Sequence, residues 1–282
     1  MGKQNEIMIE EFLGYLKHER KLSEHTTYNY TLDIQAFEIF VKKDFREVTY
    51  KDVSEYIRQL QKAVTSKNRA LSGIKTFYRF LVKEGKMGFN PAVDVESGRV
   101  GERIPKPISE NDVNKLFRVI KSLNHEAMIK TLYYTGIRRS ELCTLKRKDI
   151  HIDEVSKAHM YVIGKGNKER LIPIHPQLVK VLRAHLDSHK SSYVFPSPRH
   201  KDHISLRHVN TTLENYVNEA GLDKSEITPH KFRHTFCTTL AENNVDVLTI
   251  QDLAGHSKTD TTKIYTKIQT SKKSQAVLQA FI

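Results

Sequence analysis

Within residues 5–20 (NEIMIEEFLGYLKHER) the apolar positions Ile9, Phe12, Leu13 and Leu16 recur at the three- and four-residue spacing of one helix face. The same period returns over residues 22–43, behind Ser23 as a cap. It returns again from Thr49, where Asp52 follows three positions on as in a capping box. Residues 65–85 (TSKNRALSGIKTFYRFLVKEG) predict a fourth amphipathic helix, stopped at Gly85. Helices of this length joined by short loops predict a small bundle over residues 1–85.

The periodicity then fades. Residues 86–109 hold three Pro, three Gly and mixed charge, and 86–108 read as a linker. Ser109, with Glu110 and Asp112 behind it, predicts a helix start. Two helices follow, near 110–122 and 124–136. Residues 159–174 (HMYVIGKGNKERLIPI) change to two apolar runs about a Gly- and Lys-rich turn, the signature of a β-hairpin. Helical patterns resume near 176–188, 206–220, 229–243, 245–254 and 259–267. The tail sets Leu278, Phe281 and Ile282 on one helical face. The pattern therefore predicts a mainly α protein with a small β-sheet in its C-terminal part. An N-terminal helical bundle, a linker and an α+β domain over 109–282 follow one another.

Composition narrows the class. A chain of 282 residues, 38% hydrophobic and 28% charged, suits a folded soluble protein of two domains. No apolar run approaches a membrane span and the N-terminus lacks an apolar signal core, so a cytoplasmic location and no membrane partner are expected. Cys143 and Cys237 lie far apart in helical patterns, which argues against a disulfide framework or a Cys-based zinc site. The net charge of +13 points to a polyanionic partner, nucleic acid before any other. Residues 1–97 carry 16 basic and 14 acidic side chains, whereas residues 98–282 carry 30 and 19. The second part should therefore grip the polyanion hardest.

The candidate chemistry lies in that second part. TGIRRSEL places Arg138 and Arg139 after Gly136, with Glu141 three positions beyond Arg138. On these residues alone it reads as a solvated charge pair at a helix end, or as a guanidinium aimed at an anion beside free backbone N–H groups. Lys165 stands between two glycines at the hairpin tip, either a polar turn residue or a mobile proton donor or phosphate contact. In TPHKFRHTF, Pro229 suits a first helical position, and His230 and Arg233 share a face. His230 and His234 also have zinc-ligand spacing, but Lys231 stands where a metalloprotease has its glutamate base. His256 follows Gly255, which ends a helix, and Tyr265 sits in a polar, basic stretch (AGHSKTDTTKIYTKI) that offers a phenol little apolar cover. No carboxylate cluster for Mg²⁺ and no phosphate-binding glycine loop occur in the sequence, so neither metal nor cofactor is expected. Such an inventory suits attack on a phosphodiester by tyrosine. Two guanidiniums would stabilise the five-coordinate phosphorus, and a cation would protonate the leaving sugar oxygen.

TGIRRSEL, VIGKGNKERLIPI, HKFRHTFCTTLAE, LAGHS and IYT, in this order and at about these separations, resemble the tyrosine recombinase (phage integrase) family, most closely its Xer-type site-specific recombinases. The resemblance covers essentially the whole chain. It implies that Tyr265 is the nucleophile, joined to a 3′ phosphate while a 5′ hydroxyl is freed. It implies that Arg138 and Arg233 bind the phosphate and that His230 accepts the tyrosine proton. Lys165 would protonate the leaving oxygen, His256 would hydrogen-bond the phosphate, and Glu141 would orient the site. Phe232, often Leu in the family, and Arg139, often small or apolar there, depart from the pattern. Arg139 leaves open which guanidinium of its pair faces the phosphate.

The resemblance further implies a SAM-like core-DNA-binding domain over 1–85 and a catalytic domain over 109–282, clamped on duplex DNA. It implies a homo-tetramer acting on two duplexes, each tail docking into a neighbouring subunit. With no further domain read before residue 5, chromosome or plasmid dimer resolution is expected ahead of phage-type integration, with a sister recombinase or regulator as an additional partner. A DNA-binding protein without catalysis and a type IB topoisomerase-like enzyme are the rival readings.

Overall fold

The structure is a computed structural model, and it describes residues 2–22, 24–99, 106–164, 167–197 and 202–255. Contacts divide the chain into two compact units, Met1–Arg103 and Ile104–Ile282.

In the first unit the four amphipathic stretches fold as α1 (Gly2–Gly14), α2 (Glu24–Val41), α3 (Tyr50–Gln59) and α4 (Val64–Lys83). One π-helical turn, Tyr15–Glu19, prolongs α1. The expected start of α3 is present: the Asp52 carboxylate accepts the Thr49 backbone N–H and hydroxyl, each at 2.8 Å. The cap expected from Ser23 lies outside the described residues. Aromatic side chains fill the core, with Phe77 edge-on to Phe12 at 5.2 Å and to Phe45 at 4.8 Å. The fully buried Tyr78 donates its hydroxyl to the Phe45 carbonyl at 3.2 Å, which satisfies its one polar side-chain atom. Met87, Ala92 and Val95, from the stretch read as a linker, are buried in this same core. Asn68 fastens that stretch by two 2.8 Å bonds to the backbone of Gly98.

In the second unit the helices are α5 (Glu110–Val119), α6 (Leu123–Thr135), α7 (Arg139–Thr144), α8 (Pro176–Asp187), α9 (Leu206–Glu219), α10 (Pro229–Glu242) and α11 (Val247–Ala254). Ser109 caps α5 by accepting the Asp112 N–H. The predicted hairpin is present as β2 (His159–Ile163) and β3 (Glu169–Pro173), paired from His159↔Pro173 to Ile163↔Glu169. A two-residue strand, β1 (Ile150–His151), joins the other edge of β2 and completes a three-stranded antiparallel sheet. Met160 and Val162 of β2 and Ile172 of β3 turn into a core shared with α5, α6, α8 and α9. The buried α6 packs against α8 on one side and α10 on another. The predicted mainly α architecture with a small sheet is what the chain adopts. The helix expected at 259–267 and the C-terminal tail lie outside the described residues. Neither Cys143 nor Cys237 is in a disulfide, and both are buried.

Candidate active site

A left-handed turn opens the site. α6 ends at Gly136, with φ 59°, and a Cβ there would stand 2.5 Å from the Phe236 ring. Only glycine meets both demands. The turn exposes the Gly136 carbonyl, which accepts Arg233 Nη1 at 2.9 Å. Two residues on, Arg138 stands as the N-cap of α7. Glu141, in the first turn of α7, accepts the Arg138 backbone N–H at 2.7 Å and Arg138 Nη1 at 2.8 Å. The second guanidinium nitrogen, Nη2, donates to the Gly255 carbonyl at 2.6 Å.

α10 supplies the facing wall. Pro229 takes the first helical position and Thr228 caps it through the Lys231 N–H. His230 then stands exposed at the helix start, whereas Arg233, one turn further in, is only 6% exposed. Arg138, Arg139, Asn210, Thr228, Pro229, His230 and Arg233 together line an open cavity of about 330 Å³. Three residues expected to act together, Arg138, His230 and Arg233, are thus brought to one cavity, with Glu141 bonded behind Arg138. Arg139 lines it as well, but Arg138 is the one held by both Glu141 and Gly255. His234, four residues from His230, is buried and lies 3.4 Å from the Thr238 hydroxyl. Lys165, His256 and Tyr265 lie outside the described residues. Their flanks are described: the Gly164 N–H closes the hairpin onto the Lys168 carbonyl at 2.8 Å, and Gly255, with φ 62°, ends α11.

One residue the motif reading passed over is Arg170. It lies on β3 in phase with Ile172 and Ile174, and all three are buried, while Leu171 between them is 43% exposed. Its Nη1 and Nη2 donate to the two oxygens of Glu141 at 3.0 and 2.8 Å, and its Nε donates to the Leu253 carbonyl at 2.9 Å. The signal was the alternation of ERLIPI, which sets a guanidinium on the core face of a strand. Asn210 was also passed over; its Oδ1 is buried without a partner at the cavity wall.

The charges interlock. Burial alone would raise the Glu141 carboxyl, but hydrogen bonds from Arg170 and Arg138 outweigh it and hold the group below the usual carboxylate range. Burial, and then the like charge of Arg138, lowers Arg233 to about 10, which leaves it cationic at neutral pH. The cavity therefore presents at least two fixed positive charges and an imidazole, an arrangement complementary to a tetrahedral oxyanion.

Comparison with known proteins gives the family. The family model described as "Phage integrase family" matches residues 106–272, and "Phage integrase, N-terminal SAM-like domain" matches residues 9–85. A tyrosine recombinase of Thermosipho africanus is 31% identical, over 96% of this chain and 98% of its own. Tyrosine recombinase XerD of Listeria monocytogenes is 32% identical, over 93% and 94%. Among solved structures, XerA recombinase aligns over 99% of both chains at 26% identity with a TM-score of 0.53. XerH site-specific recombinase, bound to a palindromic difH substrate, shares the fold with a TM-score of 0.77 at 18% identity, over 95% of this chain and 83% of its own. On these grounds the chain belongs to the phage integrase family, the tyrosine recombinases, whose members cleave and rejoin DNA.

Proposed function

We propose that this chain is a site-specific DNA recombinase working through a 3′-phosphotyrosyl intermediate, with neither metal nor ATP. A single observation carries it: Arg138, distant in sequence from His230 and Arg233, lines one cavity with them. In the first step Tyr265 Oη attacks the scissile phosphorus. The new O–P bond forms as the bond from phosphorus to the 5′ oxygen breaks. His230 accepts the phenol proton and Lys165 supplies one to the departing 5′ oxygen. Arg138 and Arg233 neutralise the non-bridging oxygens as phosphorus becomes five-coordinate, His256 adds a hydrogen bond, and Glu141 orients Arg138. The phosphotyrosyl ester conserves the energy of the broken bond, so attack by a 5′ hydroxyl of the other duplex reverses the chemistry and completes exchange.

In this proposal residues 1–85 form the SAM-like DNA-binding part, 86–108 the linker and 109–282 the catalytic part. Four copies act on two duplexes, tail to neighbour, in the cytoplasm. Chromosome or plasmid dimer resolution is the task proposed, in keeping with the resemblance to Xer-type enzymes, with a sister recombinase or regulator as a further partner.

The test is a covalent adduct. Wild-type protein is incubated, with chelator present, with a library of nicked duplexes bearing randomised sites, and protein–DNA conjugates are separated on a denaturing gel and sequenced. Wild type should yield an adduct and a consensus site. Tyr265→Phe should yield none while binding the recovered site with affinity within about threefold of wild type, since the hydroxyl contributes to chemistry rather than capture. Absence of any adduct from the wild type would defeat the proposal.

A further inference from the structure

The Arg170 guanidinium joins Glu141 to the end of α11, and both of these are bonded to arginines that line the cavity. The Glu141 carboxylate accepts four N–H groups, two from Arg170 and two from Arg138, which saturates its lone pairs. On the other side, three successive carbonyls at the end of α11 are each taken by a different arginine. Leu253 is bonded by Arg170, Ala254 by Arg233 and Gly255 by Arg138. Two glycines make room for the central one. A Cβ at Gly255 would lie 3.0 Å from Arg170 Nη1, and one at Gly164 would lie 3.3 Å from the same atom.

A buried ion pair is poor evidence of a stabilising role, because desolvation offsets most of its attraction. Arg170 and Glu141 are 8% and 6% exposed, so their desolvation is nearly complete. What the arrangement provides is orientation. The Arg138 side chain is one-third exposed, and a long side chain in that setting samples many rotamers unless it is bonded at both ends of its fork. Glu141 holds one end, and Glu141 is itself fixed from behind by Arg170.

We propose that Arg170 is a positioning residue for the cleavage reaction: through Glu141 it fixes the Arg138 guanidinium, and through the Leu253 carbonyl it fixes the end of α11, whose next two carbonyls hold Arg233 and Arg138. The inference rests on the recombinase function proposed above. Arg170 touches no reacting atom; it acts through its neighbours.

The experiment uses the full-length protein and the nicked duplex recovered with wild type in the adduct selection. Adduct formation is followed in single turnover across DNA concentrations for wild type, Arg170→Met, Arg170→Lys, Glu141→Gln and the double variant Glu141→Gln/Arg170→Met. The rate at saturating DNA is expected to fall about 100-fold in Arg170→Met, because displacing a reacting geometry by an ångström costs that much. The half-saturating concentration should stay within about threefold, which is a loss in the chemical step rather than in capture. Lys keeps the charge but lacks the planar fork, so Arg170→Lys should recover less than about a tenth of the lost rate; it also guards against misfolding of the Met variant. The double variant should be no slower than the worse single one, since both residues serve one unit. A wild-type rate in Arg170→Met would overturn the positioning role, and so would a rate loss that follows the unfolded fraction measured by near-UV circular dichroism. If wild type forms no adduct, the recombinase function falls and the positioning role with it. If wild type reacts and Arg170→Met reacts equally, only the positioning role falls.

Discussion

At the scale of single residues, Gly136 shows how one backbone requirement serves the site. Its left-handed turn ends α6, brings α10 close through Phe236 and hands its carbonyl to Arg233. Gly136→Ala should destabilise the protein by about 2–4 kcal/mol, the left-handed strain and the overpacking against Phe236 adding together. The denaturant midpoint reads this directly. Gly88→Ala, at a position where an added methyl would meet nothing within 4 Å and φ is not positive, should change stability by less than about 0.5 kcal/mol. Equal midpoints for the two variants would contradict the account of the turn. The same scale shows what the sequence made legible. Gly136, Arg138, Glu141, His230 and Arg233 stood out because each sits in a short run with its own spacing logic. Arg170 did not, because KERLIPI reads as a polar turn followed by an apolar run. Only its phase with Ile172 and Ile174 marks it as buried, and its partners Glu141 and Leu253 are 29 and 83 residues away.

At the scale of elements, long periodic helices and the hairpin were readable because each carries its pattern locally. α7, six residues long, offers too few turns to show a period, and the two residues of β1 are a strand only because β2 lies beside them. Met87, Ala92 and Val95 repeat neither as helix nor as strand, so their burial depends on a core assembled from distant helices. The end of α8 carries a testable consequence of such long-range packing. His185 is buried, donates Nε2–H to the Val194 carbonyl at 2.7 Å and stacks on Phe195. His189 is beside it, and Arg147 donates to the carbonyls of Leu186 and His189. Burial first, and then the neighbouring positive charges, hold both imidazoles below the ordinary value of 6.5. The unfolded chain therefore binds protons more readily than the folded one in that window. Stability from these groups is complete above 6.5 and is lost as pH falls toward their folded values. The Tm should drop between pH 7.5 and 5.5. The drop should be smaller in His185→Gln, whose amide can still donate to Val194 but does not titrate. An unchanged drop would assign the pH dependence to other groups.

At the scale of the whole molecule, the excess of basic over acidic side chains decides how DNA is captured but not how it is cut. Residues 98–282, which contain the cavity, hold most of that excess. Contacts to phosphates release condensed counterions, so the logarithm of the affinity for duplex DNA falls linearly with the logarithm of salt, with a slope of about 0.9 per phosphate neutralised. A protein that uses six or more such contacts should lose roughly a thousandfold in affinity between 50 and 200 mM salt. The cleavage step should behave differently. Arg233 is buried and Arg138 is bonded at both ends of its fork, so their charge is screened far less than that of exposed lysines. In single-turnover adduct assays, the half-saturating DNA concentration should therefore rise steeply with salt while the rate at saturation stays within about twofold. Should the saturating rate itself collapse in step with affinity, the charges that drive chemistry would be the exposed ones, and the buried arginine cavity would lose its claim to be where the phosphate is held.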